Sequence, residues 1–363
     1  MTSVDAVLLL SFGGPEATDQ VRPFLEQVTR GRGIPPQRLA EVEKQYQTFG
    51  GVSPINEQNG KLRAALAQAT GLRVYLGNRN WHPFVADTLR QMRADGVRSA
   101  AVVVTSGYSS YSGCRQYREN LFDAVTDAEA DGQGRAPSLI KVRRWFDNPA
   151  FIEVMSDNVL AAIGPSGEAE GLERPHLVFT AHSIPLRQNE SSGPPGEPHN
   201  TYQNQHEFAA GEVARRISEE LGYELPWDLV FQSRSGPPSI PWLVPDVSDH
   251  LRTLHERGAR SVVLVPIGFI SDHMEVMWDL DTVAMRTARE LGLQCARAAT
   301  AGTDPRFVAA LASLVAERVE EVPMGLRPAL APWGPAPDLC PAGCCPNLAG
   351  PRPALCGQGG PDD

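Results

Sequence analysis

Up to about residue 320, apolar positions come in two kinds of run. Short β-branched or aliphatic stretches, apolar at successive positions, alternate with longer stretches whose apolar residues recur every three or four places. Strands buried on both faces of a parallel sheet need the first kind, and amphipathic helices laid against that sheet need the second. The pattern predicts strands at 4–11, 73–77, 99–105 and 138–143, then a second set at 176–181, 228–232, 261–266 and 294–297. It predicts helices at 83–95, 115–130, 158–163, 201–221, 247–257, 275–291 and 305–319. Gly96-Val-Arg-Ser99 and Gly258-Ala-Arg-Ser261 open the third strand of each set, 162 residues apart. That offset is too long for a solenoid and implies an α/β fold of two similar Rossmann-like lobes, each a four-stranded parallel sheet flanked by helices. The expected organisation is a first lobe over 1–148, a second over 149–322 and a tail over 323–363. Ligands of open parallel sheets bind beyond the carboxyl ends of the strands, so chemistry is sought there.

Charge narrows the function. With 33 basic and 43 acidic residues the net charge is −10, which disfavours nucleic acid, whose phosphates need a basic surface. The apolar run 6–10 has neither a basic stretch before it nor a small-residue cleavage site after it, so no secretory signal is read there. No stretch approaches the roughly 18 apolar residues of a membrane span. A soluble cytoplasmic protein is expected, where cysteines are reduced, catalytic or metal-bound. Four of the six cysteines (Cys340, Cys344, Cys345, Cys356) fall in the last 41 residues, a segment with ten Pro and seven Gly that can hold little helix or strand.

Two strand ends carry candidate chemistry. After the fifth strand, Thr180-Ala181-His182-Ser183-Ile184-Pro185 puts a histidine at the cleft, although a lone histidine is as often a hydrogen-bonded structural residue. After the seventh comes a run from Gly268 to Asp281 containing Asp272, Glu275, Asp279 and Asp281. Glu275 and Asp279, four apart on a helix, share a face. Helix-dipole compensation accounts for Asp272 but poorly for Asp279, which lies beyond the first turn. One histidine and a ladder of carboxylates suit an open site for a divalent metal or a proton relay, not the closed four-ligand set of structural zinc. No dinucleotide fingerprint, phosphate loop or nucleophile elbow competes. In the tail, Cys340-Pro-Ala-Gly-Cys344-Cys345 crowds three thiols, a spacing suited to zinc or an iron–sulfur cluster with a fourth ligand from elsewhere.

Six blocks in order carry a resemblance: Leu-Ser-Phe-Gly-Gly-Pro-Glu at 10–16, Gly-Gly-Val-Ser-Pro-Ile at 50–55, Ala-His-Ser-Ile-Pro at 181–185, Phe-Gln-Ser-Arg at 231–234, Pro-Trp-Leu-Val-Pro-Asp at 241–246 and Ser-Asp-His-Met-Glu at 271–275. Over residues 4–319 the chain resembles the ferrochelatases, which insert ferrous iron into porphyrins. The resemblance implies that His182 accepts a proton and contacts the metal, that Glu275 completes the metal and proton path, and that Asp279 continues it. It places Phe12, Arg30, Tyr46, Ser53 and Tyr117 along the porphyrin pocket. The tail is similar to that of actinobacterial members, which use coproporphyrin III and carry a two-iron two-sulfur cluster. Cys114 matches the family's internal cluster cysteine, giving the ligand set Cys114, Cys340, Cys344 and Cys345, with Cys356 in reserve and Cys295 as core.

Two departures stand out. Phe12 occupies a position where some coproporphyrin enzymes have a tyrosine able to ligate the product iron, and Gln45 stands where an arginine is often found beside Tyr46. The expected substrates are coproporphyrin III and ferrous iron, handled by a monomer. The alternatives are a protoporphyrin IX ferrochelatase, a cobalt chelatase acting on sirohydrochlorin, and a non-enzymatic porphyrin or iron–sulfur sensor.

Overall fold

A computed structural model describes residues 4–31, 33–164 and 172–357. Arg32 lies outside the described residues, as does the end of the tail. The first lobe runs β1 (Ala6–Ser11), α1 (Val21–Val28), α2 (Pro36–Thr48), α3 (Ile55–Thr70), β2 (Arg73–Asn78), α4 (Val85–Ala94), β3 (Ser99–Val104), α5 (Gln116–Glu129) and β4 (Ser138–Lys141). The second runs α6 (Pro149–Ile163), β5 (His176–His182), α7 (Leu186–Glu190), α8 (Tyr202–Leu221), β6 (Trp227–Gln232), α9 (Val247–Glu256), β7 (Ser261–Val265), α10 (Met274–Val276), α11 (Met285–Glu290), β8 (Gln294–Arg297) and α12 (Pro305–Val319). No helix among the described residues is long and apolar enough to cross a membrane.

Each lobe holds a four-stranded parallel sheet, and the strand order is the same: β2-β1-β3-β4 in one and β6-β5-β7-β8 in the other. Burial explains the apolar runs, since every residue of β1 and of β7 is buried. The order reverses direction between β1 and β3, and again between β5 and β7, so each lobe has one crevice where the loops leave in opposite directions. The lobes share one apolar core: Val7, Leu9 and Trp145 pack in the same cluster as Phe179, Val263 and Phe307. Helix α12 packs on α3 and β3 as well as on α6.

All eight predicted strands form, each within two residues at either end. The helices differ more. The pattern assigns none between β1 and β2, where the chain builds α1, α2 and α3. Helix α2 buries only Leu39 and Tyr46, and α3 buries Asn56 and Asn59 beside its leucines, so neither shows a clean apolar stripe. Caps mark them instead: Pro36 sits at the first position of α2, and Gly71 ends α3 in the left-handed region at φ 67°. Helix α6 starts at Pro149, nine residues before the predicted 158, capped by the Asn148 side chain on the Ala150 N–H at 3.0 Å. The predicted helix 275–291 is not uniform, because residues Met277–Ala284 form a π-helix between α10 and α11. A second π-turn, Tyr111–Arg115, follows β3 in the first lobe. Such widened turns recur at functional sites.

Candidate active site and thiol cluster

His182 is the last residue of β5, and Glu275 enters the loop-to-helix segment after β7, so both stand at the crevice of the second sheet. Nδ1 of His182 lies 3.3 Å from Glu275 Oε2. Burial works to lower the imidazole, but the carboxylates of Glu275 and Asp279 outweigh it and hold His182 above its ordinary value. Burial likewise works to raise Glu275, and His182 with His273 holds that carboxyl well below the usual range. The Tyr202 hydroxyl donates to the His182 carbonyl at 2.9 Å and fixes the strand end from α8.

Asp279, on the π-helix, behaves differently. Burial and the neighbouring Glu275 charge push its carboxyl up to about 6, against the pull of the Ser233 hydroxyl that donates to it. Ser233 follows β6 with φ 60°, a left-handed backbone that a non-glycine residue adopts at a cost, and this conformation holds its hydroxyl on Asp279. The other acids of the run are engaged elsewhere. Arg297 binds Asp272 through two contacts of 3.0 Å and Asp281 at 2.5 Å, while the Asp272 N–H donates to Gln58 of α3 at 2.8 Å. The carboxylate ladder therefore divides into Glu275 and Asp279, which face His182 and Ser233, and Asp272 and Asp281, which are clamped by Arg297. Arg297 and Ser233 have this role through tertiary contact alone; nothing in their local sequence spacing announces it.

Helices α1 and α2 supply the facing wall. Phe24 contacts Phe12, Tyr46 and Trp81 at ring-centroid distances of 6.4, 6.1 and 5.9 Å. This aromatic group packs on Met274, next to Glu275. The Tyr46 hydroxyl is pushed up by burial and by the Glu275 carboxylate. Phe12, at 36% exposure, presents a ring to the cleft without an oxygen. Ser53 is buried, its N–H donating to the Pro15 carbonyl at 2.9 Å. Tyr117 is also buried, with the Arg79 guanidinium 4.8 Å from its ring centre and 5.6 Å from that of Phe12. Arg79, which the motifs do not single out, thus links Tyr117 to the cleft wall. Arg30 is exposed at the end of α1 and makes no ion pair among the described residues.

The thiols converge on a second centre. Cys114, on the first-lobe π-turn, packs with Cys340, Cys344 and Cys345 in a cluster of their own, each at most 5% exposed. Their sulfurs pair at 3.7 Å (Cys114 to Cys340) and 3.9 Å (Cys344 to Cys345), and all are free thiols. The Gly193 N–H donates to Cys345 Sγ at 3.2 Å, and Cys345 itself is held at φ 51°. Cys356 stands apart, its thiol donating to the Leu139 carbonyl at 3.5 Å and packing with the first-lobe core. Cys295 is half-buried on β8, and burial pushes its thiol up to about 12. Arg144 is buried beside the four thiols, and its Nε and Nη2 have no hydrogen-bond partner among the described residues. An unpartnered buried guanidinium is costly unless an anion faces it. Four thiolates around a metal group are such an anion, so the residues present fit a metal or iron–sulfur centre.

The chain is similar to known proteins along nearly its whole length. The family model described as Ferrochelatase matches residues 4–319. A coproporphyrin III ferrochelatase of Streptomyces griseus is 51% identical over 98% of this chain and 97% of its own length, and one of Streptomyces coelicolor is 50% identical with the same coverage. A solved structure described as SirB from Bacillus subtilis with Fe3+ aligns over 87% of this chain and 96% of its own, at 12% identity and a TM-score of 0.45. With a family match across both lobes and relatives of this identity along nearly the whole chain, the protein belongs to the ferrochelatase family.

Proposed function

We propose that the chain inserts ferrous iron into coproporphyrin III, with His182 as proton acceptor and metal contact and Glu275 completing the path. The observation that carries this reading is the His182–Glu275 pair at 3.3 Å, facing the aromatic wall of α1 and α2. Insertion exchanges two pyrrole N–H protons for one Fe²⁺, so the site must take up protons while offering the ion oxygen and nitrogen ligands. With Nδ1–H turned to Glu275, the neutral imidazole keeps its Nε2 lone pair for a pyrrole proton or the incoming ion. Glu275 stays anionic and offers a hard oxygen to iron. Asp279, close to pH 6, is suited to pass protons from the pair toward Ser233. Bending the flat macrocycle to expose its nitrogens draws on contacts along its rim, from Phe12, Arg30, Tyr46 and Ser53, with Tyr117 acting behind them through Arg79.

The substrate choice rests on the relatives' shared activity and on charge. Coproporphyrin III carries four propionates, each needing a donor to replace its lost hydration, where protoporphyrin IX carries two. Cys114, Cys340, Cys344 and Cys345 would hold a two-iron two-sulfur cluster, which supplies a structural fastening between the tail and the first lobe. The lobe boundaries at 148 and 322, and a cytoplasmic location suited to a tetracarboxylate, belong to the same reading. Anaerobic steady-state insertion with both porphyrins tests it: a higher kcat/KM for coproporphyrin III is expected. A higher constant for protoporphyrin IX overturns the substrate, and binding without turnover overturns the enzyme in favour of a sensor.

A further inference from the structure

The end of β5 opposite the cleft holds another group of metal-ligating side chains. His176 opens β5, Asp228 is the second residue of the neighbouring β6, and His250 projects from α9, which packs on β6. Nε2 of His176 lies 2.8 Å from Asp228 Oδ2, and Nε2 of His250 lies 3.0 Å from the same oxygen. The three ligand atoms all fall within 4.8 Å of one another. Six residue steps along β5 separate His176 from His182, about 20 Å at the usual strand rise, so this group is outside the cleft.

Its construction suits an ion more than a simple brace. The two imidazole side chains are 15% and 9% exposed, fixed by strand and helix, while the Asp228 carboxylate is 44% exposed at the mouth. Two nitrogens are therefore held in place and the remaining coordination positions open to water. Asp228 makes no ion pair with lysine or arginine among the described residues. Two imidazoles and one carboxylate are too nitrogen-rich for Mg²⁺ or Ca²⁺ and match first-row transition ions.

We propose that His176, Asp228 and His250 form a binding site for a divalent first-row transition cation, separate from the iron-insertion site, that ties β5, β6 and α9 together. Each imidazole would carry its proton on Nδ1 and present Nε2 to the ion, and the carboxylate would exchange two hydrogen bonds for a metal bond. An ion that binds the folded state alone raises Tm, by a stabilisation that grows as the logarithm of one plus its free concentration over Kd.

The test is equilibrium dialysis of the full chain, metal centre loaded, against Co²⁺ in a His182→Ala background that silences the cleft. One equivalent of Co²⁺ should bind, with a visible absorption band of nitrogen and oxygen ligation, and Zn²⁺ should raise Tm. Adding Asp228→Asn, which preserves shape, or His250→Gln should weaken Co²⁺ binding at least about tenfold and abolish the Tm rise. Asp228→Asn alone should leave iron insertion unchanged. If the parent takes up no Co²⁺, or both variants bind it as tightly as the parent, the trio is a hydrogen-bonded brace and the proposal is wrong.

Discussion

Nδ1 of His182 and Oε2 of Glu275 meet at 3.3 Å across the crevice between β5 and β7, and each sets the other's proton equilibrium. Glu275 holds the imidazole up against burial, and a general base works only when unprotonated. Activity should therefore rise with pH through the His182 pKa, and Glu275→Gln should shift that acid limb to lower pH while reducing kcat by about a hundredfold. His182→Ala should abolish insertion with porphyrin binding retained. Profiles of kcat/KM against pH decide: a limb that stays put or moves upward in the Glu275 variant separates the two residues functionally.

Asp279 gives a stability test with a definite sign. Its folded pKa of about 6 is above the ordinary 3.8, so its contribution to stability is present at low pH and lost as pH rises through about 6. At pH 7.5 the wild-type protein bears the cost of ionising it in the fold. Asp279→Asn should raise Tm there by about 1–2 °C, the shift that ~1 kcal/mol gives in a chain of this size, while slowing turnover. The gain should vanish near pH 4. Melting curves at the two pH values check this, and a variant less stable at pH 7.5 would falsify the raised pKa.

The lobes and the His182–Glu275 pair were legible because their causes are local. Continuous apolar runs mark β1 and β7, and a histidine or carboxylate directly after a strand lies at a crevice by topology alone. What stayed hidden depends on contacts between distant segments. Arg297 claims Asp272 and Asp281 from another strand, Arg79 reaches Tyr117 and Phe12 across the lobe, and Arg144 faces thiols nearly 200 positions away. The polar faces of α2 and α3 hid two helices, because they bury asparagine and tyrosine where a stripe of leucine would have declared them. Spacing marked the three tail thiols, and only the resemblance supplied Cys114; their convergence depends on the tail wrapping over α5, where Arg118 and Leu355 exchange backbone and guanidinium hydrogen bonds.

The separation of Cys356 from the other thiols makes the ligand set testable. Cys345→Ser should lose bound metal and expose the tail, since the Cys345 sulfur also accepts the Gly193 N–H. Cys356→Ser should keep it, because that thiol faces the Leu139 carbonyl. Metal and acid-labile sulfide analysis after anaerobic purification is the measurement, with iron and sulfide expected in equal amounts. Zinc without sulfide would replace the cluster by a structural zinc, and loss of metal in the Cys356 variant would reassign the ligands.

Substrate discrimination comes down to donors that can meet two additional propionates. Arg30, exposed at the end of α1 and without an ion-pair partner among the described residues, can turn its guanidinium to a carboxylate. Tyr117 is buried beneath Arg79 and reaches the cleft only through it. A charge-assisted contact of this kind is worth about 1.5 kcal/mol or more, so Arg30→Ala should lower kcat/KM for coproporphyrin III by about tenfold. Protoporphyrin IX, with fewer carboxylates to meet, should lose less. Tyr117→Phe should leave the ratio of the two constants nearly unchanged, because it removes a hydroxyl buried behind the cleft wall. Steady-state insertion with both porphyrins measures all three, and equal losses for the two substrates in the Arg30 variant would show that this arginine steadies the fold of α1 without reading propionates.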